Sequence, residues 1–389
     1  MLPGLAITWS LSSVTAYGIH GLTLAQQYLS EGENLVLTSL PTGVYLNPLQ
    51  QRRIQPYLDM APKLAEILKN NPHEKVTLRM PAFHAVGNDF LGFPGQFQVR
   101  GSPNVGGAAI EYCTMSDEAK GVGKFYDKII AYSHYTADFL SSLNVAPVVV
   151  CHQGVDTGMF HPRQKSGLYK NRFVIFSGGK FEHRKGQDIV LAAFKHFAAR
   201  HDDALLVCAW QTIMPIQGFP LRPYSHLTSL PAQEPGQPLH LDEWLLAEGL
   251  HPRQVIALPF LPQATMPSIM AECDVAVFPS RAEGGTNFVA MECMAMGIPT
   301  FVANGTGQKD LVSHLGAPHF GHPQPVQNSG IYPSVEGWAE TPVEAVVEAL
   351  ERVYADWQTA RDQALTLADT MKAWDWTAQN QRMLKELAR

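Results

Sequence analysis

The chain has 389 residues, 46% of them hydrophobic and 16% charged, with a net charge of −6. That length predicts two domains rather than one core. The negative balance excludes a global electrostatic pull toward nucleic acid or an anionic membrane and leaves only a local basic patch open.

In chain order, Leu5–Trp9 is a strand candidate, followed by a turn region from Ser12 to Gly18 and a helix from His20 to Leu29. Asn34–Ser39 is the second strand, Leu58–Leu68 an amphipathic helix and Lys75–Met80 a third strand. Strand Lys128–Tyr132, helix Thr136–Leu143 and strand Ala146–Cys151 complete the first half. The segment Asp156–Lys170, with Gly158, Pro162, Gly167 and several charges, suits a domain linker. Beyond it the alternation restarts with strand Arg172–Phe176, helix Gln187–Ala199 and strand Ala204–Cys208. A Pro-rich stretch, Thr212–Gln237, interrupts it; a loop of that length inside a compact domain is characteristic of a functional or mobile segment. Strand Val255–Leu258, helix Met266–Ala271, strand Asp274–Phe278, helix Phe288–Met296 and strand Thr300–Ala303 follow. After a second loop, Gly316–Glu336, come helices Val343–Tyr354, Thr359–Met371 and Trp376–Leu387. Strands and helices in alternation predict an α/β protein with two doubly wound parallel sheets. A ligand is then expected in the cleft between the halves, outside the carboxyl ends of the strands.

The five cysteines are scattered, with no pair at metal-ligand spacing, which predicts reduced thiols and a cytoplasmic setting. The first residues lack a basic region before their apolar run, and no apolar run is long enough to span a bilayer.

Two segments carry chemistry. Pro279-Ser280-Arg281-Ala282-Glu283-Gly284-Gly285-Thr286-Asn287-Phe288-Val289-Ala290-Met291-Glu292 runs from a buried strand through a Gly-Gly turn into a helix. That sequence of elements presents backbone N–H groups to a phosphate. The two carboxylates would repel a phosphate and suit hydroxyl groups instead, so together the features point to a nucleotide sugar. Ser177-Gly178-Gly179-Lys180-Phe181-Glu182-His183-Arg184-Lys185-Gly186-Gln187-Asp188 likewise follows a strand and opens a helix. Its glycines admit an anion to the backbone, and Lys180 and Lys185 supply the charge that a departing diphosphate needs. Alone, this segment reads equally as a solvated basic turn. Glu292 alone could equally be a surface glutamate complementing a helix dipole, and Glu283 a solvated turn residue.

These residues resemble the retaining GT-B glycosyltransferases of family 4. The resemblance is carried by Phe176-Ser177-Gly178-Gly179-Lys180, by Arg184-Lys185-Gly186-Gln187-Asp188 and by Glu283 through Glu292. Gln153-Gly154-Val155-Asp156 with Phe160-His161-Pro162, Leu261-Pro262, Met294-Ala295-Met296-Gly297-Ile298-Pro299-Thr300 and Trp374-Asp375-Trp376 add to it. It is strong from about Gln153 onward and weaker before. Thr15-Ala16-Tyr17-Gly18 stands where the family has a Gly-rich acceptor loop. Two departures stand out. Eight residues separate Glu283 from Glu292 where the family usually has seven, so either the loop has an extra residue or Gly284 takes the first glutamate's place. Lys180 stands where arginine is more usual.

The resemblance implies an N-terminal Rossmann-like acceptor domain over 1–165 and a donor domain over 166–371. A last helix over 372–389 would cross back to the first domain. It implies transfer of a sugar from a nucleotide-diphosphate sugar to an unidentified hydroxyl acceptor, with retention and without a metal or other cofactor. Glu283, His84 and Lys185 are the expected catalytic residues. The donor would meet Gly179, Lys180, Lys185, Gly285, Thr286, Asn287, Phe288 and Glu292, with Leu258 and Phe260 near the base. Tyr17, Gly18, Asn88 and Glu111 are expected on the acceptor side. His84 could equally be a structural loop histidine. Two other functions suit the same fold: a sugar phosphorylase or epimerase, and a non-catalytic nucleotide-sugar-binding protein.

Overall fold

The computed structural model describes residues 2–212, 216 and 219–389. The chain divides into two compact units, Met1–Gly154 with Trp374–Arg389, and Val155–Ala373.

The first unit is built on six parallel strands: β1 (Leu5–Ile7), β2 (Leu35–Leu37), β3 (Ala82–Val86), β4 (Asn104–Ala108), β5 (Lys128–Ala131) and β6 (Val148–Val150). Their order is β2-β1-β3-β4-β5-β6, so the direction of winding reverses between β1 and β3. Helices α1 (Ala16–Leu29), α2 (Pro48–Asn70), α3 (Asp117–Gly123) and α4 (His134–Leu143) connect the strands. Leu5, Ile7, Trp9, Phe83 and Tyr132 pack in one core with Met383 and Leu387 of the chain's last helix.

Several elements here depart from the sequence reading, among them the first helix, which starts at Ala16 inside the predicted turn. The predicted strand Lys75–Met80 shrinks to Val76–Thr77, which is exposed and pairs with Val99–Arg100 outside the main sheet. The central strand is the next segment, Ala82–Val86, every residue of which is buried. Strand β4 contains Gly106 and Gly107, which weaken its strand signal. The glycines are required by packing: a Cβ on Gly107 would stand 2.0 Å from Tyr132 Oη and 2.7 Å from Phe83 Cζ. Helix α2 starts ten residues earlier than expected, at Pro48 rather than Leu58. A capping box of Asn47 and Gln50 and Pro48 in the first turn nucleate it, in spite of Pro56 and Pro62 inside.

The second unit has five parallel strands: β7 (Phe173–Gly178), β8 (Ala204–Ala209), β9 (Val255–Ala257), β10 (Val275–Phe278) and β11 (Thr300–Val302). Their order is β9-β8-β7-β10-β11, with the switch point between β7 and β10. The helices are α5 (Gln187–Ala198), α6 (Leu241–Ala247), α7 (Met266–Met270), α8 (Phe288–Ala295), α9 (Lys309–Leu315), α10 (Val343–Ala355) and α11 (Trp357–Met371). α12 (Trp376–Leu387) returns to the first unit, where Trp376 stacks on His20 with ring centroids 5.4 Å apart.

Part of the predicted loop Thr212–Gln237, residues 213–215 and 217–218, lies outside the described residues. The remainder is anchored on the second core. Phe219 stacks on Phe181 at 4.8 Å between centroids, and Leu227 is fully buried. Cys151, Cys208, Cys273 and Cys293 are buried, and burial pushes the thiol of Cys151 up to about 12. Among the described residues, no helix is long and apolar enough to cross a membrane.

Candidate functional site

The switch point of the second sheet gathers most of the predicted donor residues. The β7 strand ends at Gly178, and Gly179, with φ 124°, turns the chain away. A short turn, His183–Lys185, leads through Gly186 into α5. Gly186 has φ 70°, and a Cβ there would meet the Pro279 carbonyl oxygen at 2.2 Å. The glycine thus lets the two loops of the switch point touch. Gly307 does the same on the other side, where a Cβ would stand 2.0 Å from the Gly285 carbonyl oxygen.

Across this contact lies a connected set of charges. Lys185 Nζ donates to both carboxylate oxygens of Glu283, at 2.8 and 2.7 Å. Arg184 Nη1 reaches Glu283 Oε2 at 3.2 Å, and its Nη2 reaches Glu182 at 2.8 Å. Lys180 closes on the other oxygen of Glu182. Glu283 Oε1 also accepts from Ser280 Oγ and from Asn287 Nδ2, each at 2.9 Å. A carboxylate offers about four lone-pair sites, so Glu283 is filled from the protein side. The role its geometry supports is to hold Lys185 and Arg184. Burial lowers the affinity of Lys185 for its proton, and the Glu283 charge opposes that shift.

The loop that carries Glu283 is fixed from below by Arg281, whose side chain is fully buried. Its guanidinium forks onto Asp188 at 2.7 and 2.8 Å, donates to the His183 carbonyl at 2.7 Å, and pairs with Glu340. Burial would raise the Asp188 carboxyl, but the Arg281 charge overrides it and holds the group down at about 2. Glu283 N donates to Thr306 Oγ1 at 2.9 Å, and Gly307 N to the Glu283 carbonyl at 2.9 Å.

Helix α8 opens just past Glu283. Asn287 has φ 74°, an uncommon conformation for a side-chain-bearing residue, and caps the helix by accepting from Ala290 N. Gly284, Gly285 and Thr286 form the turn between Glu283 and this cap. Thr286 is fully buried, while Gly285 and Phe288 are partly exposed at the amino end of α8. Glu292, in the second turn, is buried and accepts from Gln263 Nε2 at 2.6 Å. Burial drives its carboxyl up to about 7; Gln263 opposes the rise and Asp156 adds to it. Leu258 is buried and tied by its N–H to the Cys208 carbonyl at 2.8 Å, and Phe260 is partly exposed on the same loop. The Gly179 N–H is engaged with the Ala209 carbonyl at 3.0 Å, so this glycine contributes room rather than a donor.

The first unit holds the other predicted residues. His84 departs from expectation. It is no loop residue but the middle of β3, fully buried, with Nδ1 2.9 Å from Thr8 Oγ1 and Nε2 2.7 Å from Asn104 Oδ1. Burial holds its ring neutral, with the proton affinity down at about 4. A side chain so enclosed cannot touch a sugar, and the expected catalytic role is withdrawn. Tyr17 Oη donates to the Val86 carbonyl at 2.7 Å and accepts from Ala109 N at 3.2 Å, tying together the ends of β3 and β4. Burial pushes its phenol far above the ordinary range. Gly18 is buried under Ser12, whose Cβ a side chain would meet at 2.4 Å. Asn88 and Glu111 do come together at the carboxyl edge: Asn88 Nδ2 donates to Glu111 Oε2 at 2.8 Å, and Glu111 N returns a bond to Asn88 Oδ1 at 2.8 Å.

Sequence reasoning missed Arg184, Arg281, Ser280 and Gln263. Arg184 and Arg281 lie inside the two segments singled out, but their partners, Glu182, Asp188 and Glu340, are set by the tertiary fold.

Residues 160–324 match the sequence family Glycosyl transferases group 1. Comparison with curated proteins found no match. Among solved structures, the chain is similar to Anabaena HepE in complex with UDP and glucose, with 15% identity, a TM-score of 0.65 and 100% of each chain covered. Sucrose-phosphate synthase from Thermosynechococcus elongatus aligns at 15% identity and a TM-score of 0.63, over 98% of each chain. A structure from E. coli titled trehalose-6-phosphate bound with UDP-2-fluoro glucose aligns at 13% identity and 0.60, over 99% of each. The fold is therefore GT-B, with two Rossmann-like domains, and the segment that matches glycosyl transferases group 1 lies within the second unit.

Proposed function

We propose that the protein moves a sugar from a nucleotide-diphosphate sugar to a hydroxyl acceptor, with retention at the anomeric carbon and without a metal ion. The observation that carries this reading is the Lys185–Glu283 pair at the switch point, with Glu292 buried in the helix that opens beside it. Lys185 and Arg184 stand preoriented by Glu283, so little reorganisation is needed when a diphosphate gains charge. Lys180, which is more exposed, adds a third cation. Glu292, once ionised, accepts hydrogen bonds from ribose hydroxyls, and Leu258 and Phe260 border the base. The likeness to structures holding UDP and glucose supports a uridine nucleotide as the first donor to try.

In the proposed step the acceptor oxygen bonds to the anomeric carbon while the bond from that carbon to the β-phosphate oxygen breaks. The electron pair stays on the diphosphate, which also takes the acceptor's proton. The protein binds, orients and stabilises the charge, and no carboxylate need attack the sugar.

The test is incubation with UDP-glucose and a panel of hydroxyl acceptors, in EDTA and in magnesium, read by the anomeric signals in NMR. Retained configuration and equal rates in both buffers support the proposal. An inverted product, or activity only with magnesium, contradicts it. Phosphorolysis or epimerisation without an acceptor would select the alternative enzyme class.

A further inference from the structure

We infer that the second unit holds an anion site, separate from the switch point, that takes a small phosphorylated organic compound. The inference goes beyond the glycosyl-transfer reading and does not depend on it. Its place is a pocket of about 370 Å³ whose wall includes Arg163, Lys165, Trp357 and Arg361. Cys273 and Ile298 also line it, and they stand just before β10 and β11, at the amino ends of those strands. Lys185 and Glu283 lie beyond the carboxyl ends of β7 and β10. The pocket therefore sits at the opposite edge of the same sheet.

Three cations share this wall, and only Lys165 has a counter-ion. Its Nζ meets Asp274 Oδ1 at 2.6 Å and lies 6.0 Å from the centre of the Trp357 ring. The other oxygen of Asp274 accepts from Val174 N at 2.9 Å. Glu272 Oε1 accepts from Ser166 N at 2.6 Å, and its Oε2 is buried with no donor, so no cation of the pocket pairs with it. Arg163 donates to the Met159 carbonyl at 3.0 Å. Arg361 Nη1 closes the carboxyl end of α8 at the Met296 and Gly297 carbonyls, and its Nη2 reaches the Arg163 carbonyl at 3.5 Å. Among the described residues, neither arginine has a carboxylate within ion-pair distance. Burial lowers the proton affinity of Arg361, and the Asp274 charge only partly opposes it.

A second observation is independent of these charges. Trp357 Nε1 is buried and has no hydrogen-bond partner in the protein, and a buried N–H of that kind calls for an acceptor. Capping α8 accounts for Arg361 Nη1 but not for its Nε–H, nor for Arg163 and the indole N–H on the same wall. Guanidinium groups match the paired oxygens of a phosphate, which accepts from several donors at once. The volume is more than a bare phosphate fills and falls within the range of small-molecule sites. Trp357, Met296 and Ile298 give the rest of the wall an apolar character that suits a compact organic group such as a sugar ring.

The test titrates the full chain, with its tryptophan indoles labelled with ¹⁵N, with ribose 5-phosphate, inorganic phosphate and ribose. The Trp357 indole signal, identified by its loss in Trp357→Phe, reports on this pocket alone and not on the switch point. Ribose 5-phosphate is expected to shift that signal saturably, inorganic phosphate to do so more weakly, and ribose to leave it in place. Arg163→Gln and Arg361→Gln are each expected to weaken ribose 5-phosphate about tenfold, the scale of one lost charge-assisted hydrogen bond. Arg163 is exposed, so its variant tests the site with the fold intact. No shift with ribose 5-phosphate overturns the inference, as does an equal shift with sodium chloride at matched ionic strength. Inorganic phosphate or ribose binding as tightly as ribose 5-phosphate also overturns it, and so does unchanged binding in Arg163→Gln.

Discussion

Lys185 Nζ sits between the two carboxylate oxygens of Glu283, at 2.7 and 2.8 Å, although the residues are 98 positions apart in the chain. The pair forms across the switch point between β7 and β10, where Gly186 packs against the Pro279 carbonyl. A lysine held by a carboxylate on one side is fixed in position yet still offers donors on the other.

Lys185→Ala is expected to lower turnover by about two orders of magnitude, as removal of a transition-state donor does elsewhere. Affinity for the nucleotide is expected to fall by less. Glu283→Gln keeps the shape but loses the charge that fixes Lys185 and Arg184, and is expected to fall between wild type and Lys185→Ala. Steady-state kinetics alongside calorimetric titration of UDP separate the two effects. Equal losses in binding and turnover would mean that Lys185 serves binding only.

Glu292 gives a pH signature. Its carboxyl is raised from 4.5 in the unfolded chain to about 7 in the folded one, because burial penalises the charge. The folded state therefore holds more protons between those values, and its stability falls as pH rises through that window. The contribution is fully present below about 4.5 and gone above about 7, with a span of up to about 3 kcal/mol. Glu292→Gln is expected to flatten this dependence, so that the variant gains on wild type between pH 5 and pH 8 in urea denaturation. A parallel dependence in both proteins would contradict the buried carboxyl.

Arg281 is a structural bolt beneath the proposed site. Its fork onto Asp188 ties the Glu283 loop to the start of α5, and its bond to the His183 carbonyl fixes the turn that carries Lys185. Arg281→Ala leaves Asp188 buried without its partner and is expected to cost about 3–5 kcal/mol. Arg281→Lys keeps the charge but loses the fork. It is expected to fold with a lower melting temperature and a reduced kcat, without a matching rise in the KM for donor. An Arg281→Lys variant with wild-type kcat would show that the bolt does not reach the site.

The histidine of β3 offers the opposite test. His84→Leu leaves Thr8 Oγ1 and Asn104 Oδ1 without their ring partner in the first core, at a cost of about 1–3 kcal/mol. The folded ring holds its proton only below about 4, against 6.5 unfolded, so His84 supports stability above pH 6.5 and loses that support as pH falls toward 4. Thermal melts at pH 5 and pH 8 are expected to show a larger deficit for His84→Leu at pH 8. Nucleotide affinity is expected to be unchanged. A loss of turnover with intact stability would restore a catalytic role.

The sequence made the alternation of elements legible because buried parallel strands such as Ile175 and Phe176 are continuous apolar runs with turn residues at their ends. It misplaced the centre of the first sheet because His84 and the glycines of β4 break that pattern. Both exceptions have tertiary causes: His84 finds Thr8 and Asn104, and Gly107 yields its space to Tyr132 and Phe83. The two glycine-turn segments at the switch point were visible as strand, glycine turn and helix. That Glu283 would turn toward Lys185, and Arg281 inward toward Asp188, was not, since each pairing joins loops from opposite sides of the switch point.

The most direct test of the central claim is a thermal-shift titration of UDP, GDP, ADP, CDP and dTDP against wild type and Glu292→Ala. The account predicts stabilisation by one nucleotide, UDP first, lost or much reduced in the variant. No stabilisation by any nucleotide, or an equal shift in both proteins, would contradict it.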